Sequence, residues 1–320
     1  MPKVNIRHRL TPHTLAAVEK SQALYAGFKN TAPQPLQALR EAYNHERAYW
    51  NSFPVALPSV RDLALDTGFG QVPLRLYRPR EGTALPVLLY LHGGSFILGN
   101  LDTHDRICRL LAHKSGWAVL AVDYTLAPEK QFPVQPDQVL AVLRHVAAQG
   151  APWGLDPARI ALCGDSAGAH LALCAALDAR AATDSPVRLV AQLLYYGAFG
   201  LKDSVSRRMY GWAELDGMGD QDTSAARDSY TARSEDRDHP RCNLLAADMA
   251  GLPPTFIAAV AYDPLRDDSL ALAEFMQERA VPHELVVYEG VLHGFLHHSA
   301  VEPRAMQALD DGAAFLRKIG

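Results

Sequence analysis

Strand-length apolar runs alternate with helix-length segments along this chain. That rhythm predicts the α/β class: one mostly parallel central sheet with helices on both faces. Three observations carry the expectation. Leu85–Leu91 is a nearly continuous apolar run, as a strand buried on both faces would be. From residue 103 onward, short apolar runs and longer helix-forming segments take turns almost to residue 319. Gly164-Asp165-Ser166-Ala167-Gly168 sits between the apolar run 160–163 and the helix-forming run 167–182, which is a strand–turn–helix context.

The chain has 320 residues, enough for a sizeable core within one α/β domain. Hydrophobic residues make up 48% and charged residues 21%, in the ordinary range for a globular protein. A net charge of −4 with no block of Lys and Arg argues against a nucleic-acid partner. The longest apolar stretches, 87–91 and 256–261, are too short to span a membrane. Residues 1–10 are polar and basic with no apolar stretch behind them, so no signal peptide is expected. Four cysteines without a Cys-x-x-Cys pair, Cys163 and Cys174 among them in apolar surroundings, read as reduced thiols of a cytoplasmic protein.

In chain order, residues 13–50 predict two helices, broken at Pro33 and Pro35. Residues 60–67 and 72–78 alternate apolar and polar around Gly68-Phe69-Gly70, which predicts an antiparallel hairpin. After the 85–91 strand, helices are expected at 103–114, 136–149, 265–279 and 303–319. Strands are expected at 118–122, 160–163, 189–194, 255–260 and 284–288. Between 200 and 250 the rhythm stops. That stretch is polar with isolated Met209, Tyr210, Trp212 and Met218, too long for an ordinary loop; it reads as a disordered insertion or a lid, and aromatics among the helix formers at 222–233 favour the lid.

The chemistry gathers on loops that follow strands. Ser166 in Gly-x-Ser-x-Gly is the expected nucleophile, on a turn so tight that its flanking residues must be small. The helix behind it would aim its positive end at developing negative charge. Acyl transfer also needs backbone N–H donors for the oxyanion. Ala167 follows the serine, and Gly93 and Gly94 of His92-Gly93-Gly94-Ser95-Phe96 follow a buried strand, so these three are the expected donors. The base should stand on a late loop, where His293 lies in Leu292-His293-Gly294-Phe295. The acid should come between them, where Asp263 follows strand 255–260. Asp263-Pro264 also reads as a helix N-cap, with Asp267 and Asp268 as second choices for the acid. His293 and His297 share an i, i+4 spacing, but no Glu follows in the manner of His-Glu-x-x-His, so neither metal nor other cofactor is expected. The order Ser166, Asp263, His293 is that of the α/β hydrolases. Phe96, Tyr195, Trp212 and Leu296 are bulky candidates for closing a small acyl pocket, and each reads equally as core.

These residues resemble the hormone-sensitive-lipase-like esterases, and within them the bacterial acetyl esterases. The resemblance rests on His92-Gly93-Gly94, Phe96 to Arg106, the segment Asp123-Tyr124-Thr125-Leu126-Ala127-Pro128-Glu129, the serine motif, Asp263 to Asp267 and Leu292 to His297. It runs from about residue 60 to the C-terminus. It implies one α/β-hydrolase domain over 1–320, with a helical cap from residues 1–50 and roughly 200–250. It further implies hydrolysis of short-chain acyl esters, acetyl to butyryl, by Ser166, Asp263 and His293. A binding protein on the same fold is the alternative, acting beside catalysis because all three residues are present. By resemblance alone, the expected partners are the maltose-system transcription activator and an α-galactosidase, and a homodimer is left open. Ser95 stands where a third glycine is usual, and Thr125 where an arginine is, in a segment expected to be structural.

Overall fold

A computed structural model describes residues 3–29, 32, 34–82, 84–182 and 187–319. The helix breaker Pro33 lies outside them. Strand β3 (Leu85–Leu91) organises the rest. Every residue in it is buried, and its side chains divide by alternation. Val87, Leu89 and Leu91 enter one apolar cluster, and Leu88 and Tyr90 enter the other on the opposite face. A two-residue period with both faces covered leaves no room for polar side chains, hence the unbroken apolar run.

The sheet has eight strands in the order β1-β2-β4-β3-β5-β6-β7-β8. β1 (Ser59–Asp66) and β2 (Gln71–Arg78) form the predicted hairpin, and β2 pairs antiparallel with β4 (Ala118–Val122). From β4 onward every pairing is parallel: β3, β5 (Leu155–Asp165), β6 (Leu189–Tyr195), β7 (Thr255–Val260) and β8 (His283–Tyr288). Helices α3 (Asp105–Ser115) and α10 (Pro303–Ile319) cover one face. Helices α4 (Val134–Gln149), α5 (Ala167–Ala181) and α9 (Arg266–Glu278) cover the other. The chain leaves β3 toward β4 and returns to β5 on the other side, so the strand order reverses between β3 and β5. A crevice opens at the carboxyl ends there, and it is the place where such sheets bind ligands.

Above that crevice lie α1 (Pro12–Gly27), α2 (Pro35–Asn51) and three short helices of the 200–250 stretch, α6 (Val205–Met209), α7 (Ala213–Asp216) and α8 (Asp220–Tyr230). The two segments clasp each other. Lys3 Nζ donates to the carbonyls of Arg207 and Tyr210 and to Asp220 Oδ1 at 2.6, 2.8 and 2.8 Å, and Gln22 donates to the Glu214 carbonyl at 2.7 Å. Arg40 fixes α2 to the sheet's loops by donating to the Ile97 and Ala127 carbonyls and pairing with Glu129. Among the described residues no helix is long and apolar enough to cross a membrane.

Candidate active site

β5 ends at Asp165, and the chain turns directly into α5 through Ser166, whose φ of +53° and ψ of −118° lie outside the comfortable regions for a side-chain-bearing residue. Two glycines make the turn sterically feasible. A Cβ on Gly168 would sit 1.9 Å from the Leu91 carbonyl oxygen, and one on Gly164 would sit 2.3 Å from the Gly168 backbone. The Ser166 N–H donates to the Tyr195 carbonyl at 2.9 Å, which fixes the turn against β6.

His293, five residues beyond β8, brings Nε2 to 2.9 Å from Ser166 Oγ. Its Nδ1 lies 2.6 Å from Asp263 Oδ2, on the loop after β7. Alcohol, imidazole and carboxylate thus form one hydrogen-bonded row. Asp263 is fully buried, and its Oδ1 accepts the N–H of Leu265 at 2.7 Å. That corrects its expected role as a helix cap: α9 starts at Arg266 with Leu265 at the cap position, and Asp263 is held by a tight turn of its own. Burial works against a charged His293, but Asp263 beside it, aided by Asp216 and Asp165, lifts its pKa above the usual histidine value.

Asp267 and Asp268 lie in the first turn of α9 and face elsewhere. Asp268 accepts the N–H groups of Phe199, Gly200 and Leu201 and pairs with Arg207, while Asp267 accepts the Ser206 N–H, so both anchor the start of the 200–250 stretch.

The donor loop corrects one expectation. The Gly93 N–H is given to Asp165 Oδ1 at 2.9 Å, so it is not directed at the serine. Gly94, with φ +117°, and Ser95, with φ +55°, carry the backbone toward Ser166 instead. Ala167 opens α5, where the first N–H groups have no intrahelical partner. The Asp165 carboxylate also accepts the Tyr90 hydroxyl at 2.6 Å. Burial opposes its ionisation, but His104, Tyr90 and the Gly93 N–H hold its pKa below the ordinary aspartate value. Tyr124 stacks on His92 and donates to the His92 carbonyl at 2.7 Å, so the segment around Thr125 supports the donor loop.

Two cavities meet at Ser166. One, of about 620 Å³, is lined by His293, His297, Glu46, Arg47 and Asp216. The other, of about 410 Å³, is lined by Phe96, Ala167, His170, Tyr230 and Arg227. Of the four bulky candidates, Phe96 alone lines either of these two cavities. Tyr195 and Leu296 are fully buried beneath the sheet's loops, Tyr195 with its hydroxyl toward the Ala308 carbonyl at 3.4 Å. Trp212 packs against the Ile6, Leu10 and Tyr210 cluster.

Asp216 in α7 was not singled out by sequence, since an acid among many in a polar stretch gives no signal. Burial pushes its pKa up to about 6, although its Oδ1 accepts the Trp212 and Met218 N–H groups. Among the described residues, His104, Asp165 and His297 bring ligand atoms within 4.8 Å of one another. The set fits a cation poorly. The positive Arg47 guanidinium acts on both imidazoles and would oppose a second cation there, and Asp165 is occupied by Tyr90 and Gly93.

A family model for the alpha/beta hydrolase fold matches residues 88–297. An acetyl esterase of Salmonella schwarzengrund is 41% identical over 317 residues, covering 98% of this chain and 96% of that one. Among solved structures, a hyperthermophilic esterase from the archaeon Pyrobaculum calidifontis superposes with a TM-score of 0.88 at 31% identity, covering 97% of this chain and 98% of its own. A thermostable carboxylesterase from a metagenomic library gives 0.85 at 32% identity, covering 89% and 97%. In sequence and in fold, this chain belongs to the bacterial acetyl-esterase branch of the hormone-sensitive-lipase-like α/β hydrolases.

Proposed function

We propose that Ser166, His293 and Asp263 hydrolyse short-chain acyl esters through an acyl-enzyme, with Gly94, Ser95 and Ala167 as oxyanion donors. The chain is a carboxylic ester hydrolase. The observation that carries the mechanism is the hydrogen-bonded row, 2.9 Å from serine to imidazole and 2.6 Å from imidazole to carboxylate.

His293 Nε2 takes the Ser166 proton as Oγ attacks the ester carbonyl. The carbonyl oxygen becomes an anion against the backbone N–H groups of the donor loop and of Ala167, aided by the positive end of α5. Asp263 holds the Nδ1–H tautomer and stabilises the imidazolium. His293 then protonates the departing alcohol, and a water activated the same way releases the acid. Residues 1–50 and 200–250 act as a cap over this chemistry, because both segments line the cavity that holds Ser166 and His293. The thiols Cys108, Cys163, Cys174 and Cys242 are all free, which supports a cytoplasmic setting. The homodimer and the regulatory partners rest on the family resemblance alone, and no feature of the site favours them.

The test is a series of p-nitrophenyl esters from acetyl to dodecanoyl, run on wild type and on Ser166→Ala. Turnover should peak between acetyl and butyryl and fall by about 10⁴-fold or more in the variant. A maximum at dodecanoyl would overturn the short-acyl preference, and a fully active variant would overturn the mechanism.

A further inference from the structure

The two cavities that meet at Ser166 differ in what flanks them. His293, Gly294, His297 and His298 line the larger one and none of them lines the smaller. His293 must hand its proton to the leaving alcohol, so the alcohol departs on its side, through the larger cavity. The acyl chain then points the other way, past Ala167 into the smaller cavity. That assignment rests on the serine-esterase reading above.

The acyl cavity has two kinds of wall. One is apolar, made of Phe96, Met218, Ala226 and Tyr230. The other is charged, with Lys202, Arg207, Arg227 and Arg237 against the single acid Asp238. Three of these cations have carboxylate partners: Lys202 with Asp238, Arg207 with Asp268 and Arg237 with Asp228. Arg227 has none. No hydrogen bond or ion pair of its guanidinium occurs among the described residues. Burial lowers its pKa, and the neighbouring Arg207 and Arg237 lower it further, with only Asp228 acting in the opposite sense. An exposed guanidinium beside two others, with no hydrogen-bonded carboxylate of its own, is a place where an anion is stabilised. The larger cavity has the reverse balance, with Glu46, Glu214, Asp216 and Asp222 against Arg47.

We propose that the smaller cavity is an acyl subsite for short chains that end in a carboxylate, so that half-esters of small dicarboxylic acids are preferred over uncharged acyl groups of equal length. The apolar side chains take the methylenes, and Arg227 takes the terminal carboxylate. The reaction is unchanged: water adds to the acyl carbon, the alcohol leaves with a proton, and the dicarboxylic acid is released.

The test compares ethyl hydrogen glutarate with ethyl 4-carbamoylbutanoate, which has the same length and shape but no charge. Wild type should favour the half-ester by about tenfold in kcat/KM, mostly through KM, with the preference shrinking as salt rises. Arg227→Gln should bring the ratio close to one, and Arg227→Lys should restore part of it. Because a ratio is read, loss of folded protein cancels. Equal rates on the two substrates in wild type, or a ratio unmoved by Arg227→Gln, would overturn the subsite. p-Nitrophenyl acetate separates the two levels: no hydrolysis of it removes the esterase reading itself, while hydrolysis without a half-ester preference removes only the subsite.

Discussion

A single short bond of 2.6 Å joins His293 Nδ1 to the Asp263 carboxylate. Because Asp263 raises the His293 pKa, the acid limb of kcat/KM should fall at a pH above the usual histidine value of 6.5, where the imidazole begins to hold its own proton. Asp263→Asn removes the negative charge that favours the imidazolium, so the limb should move to lower pH while kcat drops about 10⁴-fold. A pH–rate profile of the two proteins checks both, and a limb moving upward would refute the assigned partnership. At this scale the sequence was readable wherever a residue type has few alternative uses. A serine between glycines after a buried strand, and a histidine and an aspartate after later strands, left little choice. Gly93 was misjudged because adjacent glycines look alike, and only the bond to Asp165 separates the one that braces the loop from the one facing the serine. For Tyr195 and Leu296 the sequence left pocket wall and core equally open, because both require apolar bulk, and both lie in the core.

The turn from β5 into α5 works only if the helix starts against the end of β3. Gly168→Ala would push a methyl group into the Leu91 backbone, which cannot move without disturbing the central strand. Urea unfolding should show a loss of about 3 kcal/mol, with esterase activity near background. Helix α7 makes the opposite case. The folded pKa of Asp216, near 6, stands above the usual 3.8, so the folded protein disfavours the charged carboxylate. Its contribution to stability is fully present below pH 3.8 and is lost as pH rises through about 6. Asp216→Asn should therefore stabilise the protein by about 1–3 kcal/mol at pH 8 and change little at pH 3.5, by denaturant melts at each pH. Strands and long helices were legible because their apolar periods are imposed by burial on one or two faces. Helices α6 and α7 were not, since they are short and the first is held by contacts with distant residues such as Lys3 and Asp267.

At the level of the whole molecule, the sheet's reversal between β3 and β5 places the crevice, and residues of the 1–50 and 200–250 segments line the cavity at Ser166. Their clasp runs through Lys3, which makes three polar contacts with the 200–250 stretch. Lys3→Ala should cost about 1 kcal/mol of local stability and raise the rate of tryptic cleavage within residues 205–241 roughly fivefold, read by mass spectrometry of the fragments. An unchanged cleavage rate would mean the segments are held elsewhere. Helix α8 has a wider effect. Thr223 and Ala226, with Met218 just before it, border both cavities at once. Room given to the acid half of an ester is room taken from its alcohol half. Tolerance for the two halves should therefore not vary independently, and enlarging this partition's side chains to exclude one bulky group will alter discrimination at the opposite end of the same molecule.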